Sequence, residues 1–260
     1  MSQQELEQPE GGGLPRIRSI DQRAPWNWLR KGWADLCAVP VASLFYGVVL
    51  AVMGAVLVAF VGHAAYELAL VTGFLLVGPF LAMGLYDISR RRERGERVPL
   101  SATLTAWKEN LPAIGFYAVI LALLMAVWIR VSVVVVALFF EGGVLTVQSL
   151  LHDILTSDNG LFFLFAYLAA GAGFALLVFA TSVVSLPMLL DRGKMDTLTA
   201  MIGSFNALRS NFAPMVLWAA IIVVLVAIGF ATLTLGLVVL LPLIGHATWH
   251  AYRDLVLPDG

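Results

Sequence analysis

Three side chains near the C-terminal end of the chain are placed to act together. His246, His250 and Asp254 stand at i, i+4 and i+8, so a helix through them carries all three on one face. Two imidazoles four residues apart can chelate a metal ion, and either can serve as an axial haem ligand. One face of one helix supplies too few ligands alone. Another element would have to add a carboxylate, with Asp35, Asp87 and Asp191 as the candidates at similar depth. The competing reading is an interfacial cluster beside Trp249, Tyr252 and Arg253, satisfied by lipid headgroups and helix ends. On that reading no cofactor is expected; haem or a metal ion belongs to the alternative.

Other polar groups are sparse. Arg130 is the only basic residue inside an apolar stretch, which would flag function if it lay at mid-membrane. It follows Pro112 by 18 residues, a helical rise of about 27 Å. That places it near the far interface, where it can snorkel or pair with Glu67. Asp87 and Asp191 each adjoin basic residues and are expected to pair with arginine. The run holding Arg90, Arg91, Arg92 and Arg94 is read as a topology signal that also suits anionic lipid headgroups. A lone cysteine, Cys37, excludes a disulfide framework and any multi-cysteine metal centre. The chain has no nucleophile elbow, no Walker A loop and no His-Glu-x-x-His. Its cations track one side of a membrane, not one face of a soluble domain, which speaks against nucleic-acid binding.

The elements that must position these groups follow from composition. Of 260 residues, 60% are hydrophobic and 13% charged, against about 45–50% and about 25% in ordinary globular chains. This is a polytopic, all-α membrane protein. Windows of about 20 apolar residues predict six transmembrane helices near 41–61, 67–87, 112–131, 161–183, 213–232 and 235–252. Fifteen of the sixteen Lys and Arg residues fall before the first span, between the second and third, between the fourth and fifth, or after the sixth. The positive-inside rule then places both termini in the cytoplasm. Trp26, Trp28, Trp33, Trp107, Trp218 and Trp249 are expected at that interface and Trp128 at the opposite one.

Three similar segments precede spans: Trp33 to Pro40, Trp107 to Pro112, and Ala207 to Pro214. Each is read as the end of an amphipathic helix followed by a proline that opens a span. Apolar positions recur at helical spacing in each: Trp26, Leu29, Trp33 and Leu36; Leu104, Trp107 and Leu111, after a cap at Ser101; Leu198, Met201, Ile202, Phe205, Leu208 and Phe212. The predicted architecture is three parallel repeats of interfacial helix plus transmembrane hairpin, at about 25–97, 98–194 and 195–256. Residues 1–24 are expected to form a disordered cytoplasmic tail, with no signal peptide. Small residues in the second and fourth spans (Gly73, Gly78, Gly84, Ala169, Gly171, Gly173) predict close helix packing. The apolar stretch 131–140 either extends the third span or folds back on the outer surface.

The segments Gly84-Leu85-Tyr86-Asp87-Ile88-Ser89-Arg90-Arg91-Arg92-Glu93, Ser185-Leu186-Pro187-Met188-Leu189-Leu190-Asp191-Arg192 and Gly245-His246-Ala247-Thr248-Trp249-His250-Ala251-Tyr252-Arg253-Asp254 resemble the DUF2189 family of predicted integral membrane proteins, over roughly residues 20–256. The resemblance implies a bacterial inner-membrane location and no established activity. Some members carry a cytochrome oxidase subunit I label, but a haem–copper core needs about six histidine ligands. This chain has four histidines, with His63 and His152 on the outer side. The function expected is a non-enzymatic, transport-related or membrane-organising bundle, in contact with the lipid bilayer and anionic lipids, with a membrane-protein partner or second copy as further candidates. The alternative is a metal- or haem-binding redox subunit using His246 and His250.

Overall fold

The computed structural model describes residues 13–59, 80–140, 154–156 and 159–258. These are helical apart from the irregular segment 13–23, short connections and one isolated antiparallel bridge between Ile17 and Val256. The main elements are α1 (Ala24–Ala38), α2 (Pro40–Ala59), α3 (80–93), the single turn α4 (Leu100–Thr103), a 3-10 segment (Ala106–Asn110), α5 (Leu111–Phe139), α6 (Gly160–Ser182), α7 (Ser185–Asp191), α8 (Thr197–Ser210), α9 (Phe212–Ala231) and α10 (Leu237–Leu255).

Local chemistry sets the boundaries. Proline disfavours helix in the residue before it. Accordingly α1 stops before Val39, and Pro40 opens α2. Pro112 sits in the first turn of α5, where a missing N–H costs nothing. Asp196 caps α8 by accepting from the Thr199 backbone N–H at 2.9 Å. The helix through 160–191 breaks at Val183–Val184, just ahead of Pro187, giving α6 and α7. The second interfacial helix is not continuous. The Thr103 and Thr105 hydroxyls bond back to the carbonyls of Leu100 and Ala102, and such local bonds compete with helix propagation. Ser101 lies inside that turn, and Pro99 holds the cap position.

Among the described residues, four helices are long and apolar enough to cross a membrane: Pro40–Leu57, Leu100–Phe139, Gly160–Asp191 and Phe212–Ala231. Of the second span expected from sequence, residues 67–79 lie outside the described residues. The sixth expected span, 235–252, is not among the four. Its helix, α10, turns polar in its second half, where His246, Thr248 and Trp249 are buried. It packs most extensively on α1 and then α2. Stretch 131–140 resolves as an extension: α5 runs unbroken for 29 residues, about 43 Å at helical rise and longer than the ~30 Å hydrocarbon layer.

Part of the expected tail is docked. The Arg18 N–H donates to Leu255 O at 2.8 Å and the Leu257 N–H to Arg16 O at 3.0 Å. The two ends of the described chain therefore meet at one end of the bundle. That end also gathers the tryptophans differently from expectation. Trp26 and Trp33 are exposed, but Trp28, Trp218 and Trp249 are wholly buried. Trp28 and Trp218 stack edge to face at 5.7 Å, so packing between α1 and α9 claims rings expected at the headgroups.

Glycine permits the closest helix crossing. A Cβ on Gly47 of α2 would meet the Val238 backbone of α10, with Pro242 Cγ at 2.9 Å. Gly173, in contrast, has nothing within 4 Å of its Cβ position. Overpacking costs about 1–3 kcal/mol, and an unhindered glycine-to-alanine change in a helix gains up to about 1 kcal/mol. Gly47→Ala is therefore expected to lower the thermal unfolding midpoint in detergent, and Gly173→Ala to leave it unchanged or raise it.

Candidate functional site

The three segments that carried the resemblance converge at the polar end. Residues 83–90 of α3 are all buried, as are Ser185 to Leu190 of α7 and Gly245 to Trp249 of α10. A helix buried all round must satisfy its polar groups internally, and these do.

Arg90 is the hub. Its Nε donates to Asp87 Oδ1 at 3.0 Å. One terminal nitrogen donates to Glu109 Oε2 at 2.7 Å and to Leu190 O at 3.0 Å. The other donates to Asp87 Oδ1 at 2.7 Å and Glu109 Oε1 at 2.6 Å. All five guanidinium donors are used, in the bidentate geometry that only arginine offers. Arg90 thus ties α3 to the 3-10 segment and to the C-terminal carbonyls of α7. Beside it Asn110 Nδ2 donates to Leu189 O and Met195 O at 3.3 and 2.9 Å.

A second cluster joins α1, α2, α3 and α10. His246 is fully buried. Its Nε2 lies 2.9 Å from Ser43 Oγ and its Nδ1 2.8 Å from Ser89 Oγ. Ser43 Oγ also donates to Val39 O at 2.8 Å. With its hydrogen so placed, Ser43 Oγ accepts from His246 Nε2–H. His250 Nε2 meets Asp35 Oδ2 at 2.8 Å, and Arg92 pairs with the other Asp35 oxygen. Asp254 accepts from Trp28 Nε1 at 2.8 Å. Burial would push the Asp35 carboxyl up, but the hydrogen bond from His250 leads the effects that outweigh it, holding it below its ordinary 3.8.

A third set bridges α7, α10 and the end of α3. Tyr252 donates to Asp191 Oδ2 at 2.8 Å, and Asp191 also takes Arg94 at 3.2 Å and Arg253 at 3.3 Å. Glu93 accepts from Trp249 Nε1 at 3.0 Å and Arg253 Nε at 3.1 Å.

The sequence-derived site residues fall out as follows. His246, His250 and Asp254 share one side of α10, but each has a separate partner: His246 meets the serines of α2 and α3, and His250 and Asp254 meet Asp35 and Trp28 of α1. Asp35, one of the three carboxylates considered as a further ligand, meets His250. Among the described residues, no three His, Cys, Asp or Glu side chains form a group that could hold a metal ion. Asp87 and Asp191 both pair with arginines. Of the arginine run, Arg90 has no donor left for a headgroup. Arg91 pairs with Asp87 at 2.7 Å, and Arg92 and Arg94 remain partly exposed while pairing with Asp35 and Asp191. Arg130 is exposed on α5, and Glu67 lies outside the described residues, as do His63 and His152. Glu109, Ser43, Ser89 and the two asparagines escaped the sequence reading. The asparagines left a signal, since Asn110 and Asn211 stand just before Pro112 and Pro214. Asn211 ties the N-terminal segment down, accepting from the Ile20 N–H at 2.9 Å and donating to Arg18 O at 3.0 Å.

Two hollows adjoin this core. One, about 270 Å³, is lined by Lys31, Asp35, Arg92, Glu93 and His250 among others. The other, about 840 Å³, lies between α5, α6 and α9 and is lined by apolar side chains with Ser182 at one end.

Residues 67–191, a little under half the chain, match the family model DUF2189, described as predicted integral membrane protein. The match takes in two of the three quoted segments, up to Asp191. No curated protein and no solved structure matches the chain.

Two outcomes follow from the charge network. Arg90→Lys keeps the charge but loses the fork, and is expected to cost about 1–3 kcal/mol in unfolding stability, measured by thermal or denaturant unfolding in detergent. Because the folded Asp35 carboxyl is held below its ordinary value, its contribution is full above about pH 4 and is lost as pH falls through the folded value. Asp35→Asn is expected to be less stable at neutral pH and to show a shallower loss of unfolding midpoint as pH falls below about 4.

Proposed function

We propose that this chain is a non-enzymatic, multi-pass protein of the bacterial inner membrane that organises the lipid around one face of the bilayer. Both termini lie on the cytoplasmic side, and the six expected spans form three parallel repeats. The observation that carries this reading is the inverted face of α8. It packs Thr197, Ala200, Gly203, Ser204, Ala207 and Leu208 inward and turns Leu198, Ile202 and Phe205 outward, each 47–57% exposed, with Arg209 exposed at its end. A water-facing helix would do the reverse. An apolar surrounding favours this outward face, and on this reading α8 lies beside the charged core where headgroups meet acyl chains.

Other features support it. Trp26 and Trp33 of α1 point outward, with Arg30 exposed between them, the composition of an interfacial belt. The segments before Pro40, Pro112 and Pro214 each lead into an apolar helix, as the repeat requires. The polar groups of the core are spent on one another rather than on an open path, and the 840 Å³ hollow is apolar. That suits lipid-like cargo or lipid organisation better than conduction of a charged solute. A redox subunit built on His246 and His250 would need His246 to surrender a serine and His250 to surrender Asp35.

Spin labels test the inverted face. In a Cys37→Ser background reconstituted into vesicles, labels at Leu198→Cys, Ile202→Cys and Phe205→Cys are expected to be relaxed by oxygen more than by a water-soluble nickel chelate. A label at Asp196→Cys should show the opposite. Nickel access at all of positions 198, 202 and 205 would overturn the reading.

A further inference from the structure

The smaller hollow, about 270 Å³, is walled by three helices. Lys31, Ala34 and Asp35 come from α1, Ser89, Arg92 and Glu93 from α3, and His250 from α10. Its buried carboxylate is already spent: Asp35 meets His250 Nε2 at 2.8 Å and gives its other oxygen to Arg92. The rest of the lining keeps hydrogen-bonding capacity in hand. Lys31 is exposed and pairs with no acid among the described residues, so its ammonium has three donors to offer. Arg92 gives one terminal nitrogen to Asp35, which leaves its Nε and its second terminal nitrogen. Glu93 accepts one bond on each oxygen, from Arg253 and Trp249, and a carboxylate has about four acceptor positions. His250, with Nε2 turned to Asp35, has Nδ1 left over.

These unspent groups have both signs. Lys31 and Arg92 offset Asp35 and Glu93, so with a neutral imidazole the lining carries no net charge. An anion alone would meet two carboxylates, and a cation alone an ammonium and a guanidinium. A group that carries both charges is attracted by both sets. The volume keeps it small, since drug-sized ligands fill about 300–1,000 Å³. The surroundings say where it comes from. Ala34 lines the hollow, and Ala38, one turn on along α1, is exposed. Then Pro40 opens α2, a helix long and apolar enough to span, with Val41, Phe45 and Val48 exposed on one face. The hollow thus opens beside the start of a span, where a headgroup stands above its acyl chains.

We propose that this hollow binds the headgroup of phosphatidylethanolamine, its phosphate taking donors from Lys31 and Arg92, its primary ammonium donating to Glu93 and His250 Nδ1, and its acyl chains passing Ala38 toward α2. A phosphatidylglycerol headgroup has the phosphate without the ammonium, and phosphatidylcholine has an ammonium with no N–H to donate. The site rests on the membrane reading above, and gives it one chosen headgroup at one defined position instead of a general lipid-facing surface.

The test uses the full chain reconstituted into vesicles of equal parts dioleoyl phosphatidylethanolamine, phosphatidylglycerol and phosphatidylcholine, re-extracted in mild detergent and weighed by native mass spectrometry. The wild type is expected to keep one phosphatidylethanolamine per chain in preference to the other two. Ala34→Trp, which fills the hollow from an exposed position, should abolish the preference. Lys31→Ala should weaken retention by roughly two- to fivefold, and Arg30→Ala, an exposed cation outside the lining, should leave it unchanged. Glu93→Gln keeps an acceptor for Trp249 but loses the charge, and should shift retention from phosphatidylethanolamine toward phosphatidylglycerol. Equal retention of the three lipids by the wild type overturns the proposal, as does phosphatidylglycerol ahead of phosphatidylethanolamine, which would mark a merely basic surface. An unchanged preference in both Ala34→Trp and Lys31→Ala overturns it equally, and both positions are exposed, so neither change disturbs the core. Glycerophosphoethanolamine, the same headgroup without chains, should displace the lipid poorly; full displacement at equal concentration would assign the hollow to a soluble phosphoester instead. Carbonate washing of the same vesicles separates the two readings. Protein that resists the wash but shows no headgroup preference sinks the hollow alone, whereas protein that washes off sinks the membrane reading with it.

Discussion

A single guanidinium determines how the polar end is assembled. Arg90 is 5% exposed, and a charge so far from water is tolerated only when its partners are close and its donors all used. Asp87 comes from its own helix, Glu109 from the 3-10 segment and Leu190 O from the last turn of α7. Three stretches distant in sequence are thereby fixed in one place. The remaining pairs, Asp35 with His250 and Arg92, and Asp191 with Arg94, Arg253 and Tyr252, extend the same principle outward to α1 and α10.

That arrangement inverts the layout of a soluble domain. Asp35, Asp87, Arg90 and His246 form the interior of one end, and Trp26, Trp33, Leu198, Ile202 and Phe205 are exposed on its outside beside exposed charges such as Arg30 and Arg209. In water the exposed faces of α1 and α8 would be a liability; against acyl chains they are neutral. The inversion also accounts for α10. Its second half is a polar core element, packed on α1 and α2, with Gly32 and Gly245 allowing close approach to Ala247 and Leu85.

Much of this was legible in sequence. The four apolar helices and the prolines that open three of them follow from hydropathy and spacing, as does the shared face of His246, His250 and Asp254. The partners were not legible. Nothing in the spacing of Ser43, Ser89 and Glu109 marks them as meeting His246 or Arg90, because those contacts join residues 19 to 203 positions apart. The tryptophans misled for a related reason. Proximity to an interface does not distinguish an outward ring such as Trp33 from an inward one such as Trp28, and the choice depends on which face of α1 meets α9 and α10. The docking of residues 16–20 depends on Asn211, whose role as a tie shows only once the helices are packed.

The claim that the buried charges act as one unit is tested most directly by a double-mutant cycle on Arg90→Met and Glu109→Gln, read as unfolding free energy in a single detergent. Groups in one network couple by about 0.5–3 kcal/mol. The account predicts that the double variant is less destabilised than the sum of the single variants, with a coupling in the upper part of that range. Additive effects would mean that Arg90 and Glu109 do not share an interaction in the folded protein, and would contradict the account of how the polar end is held together.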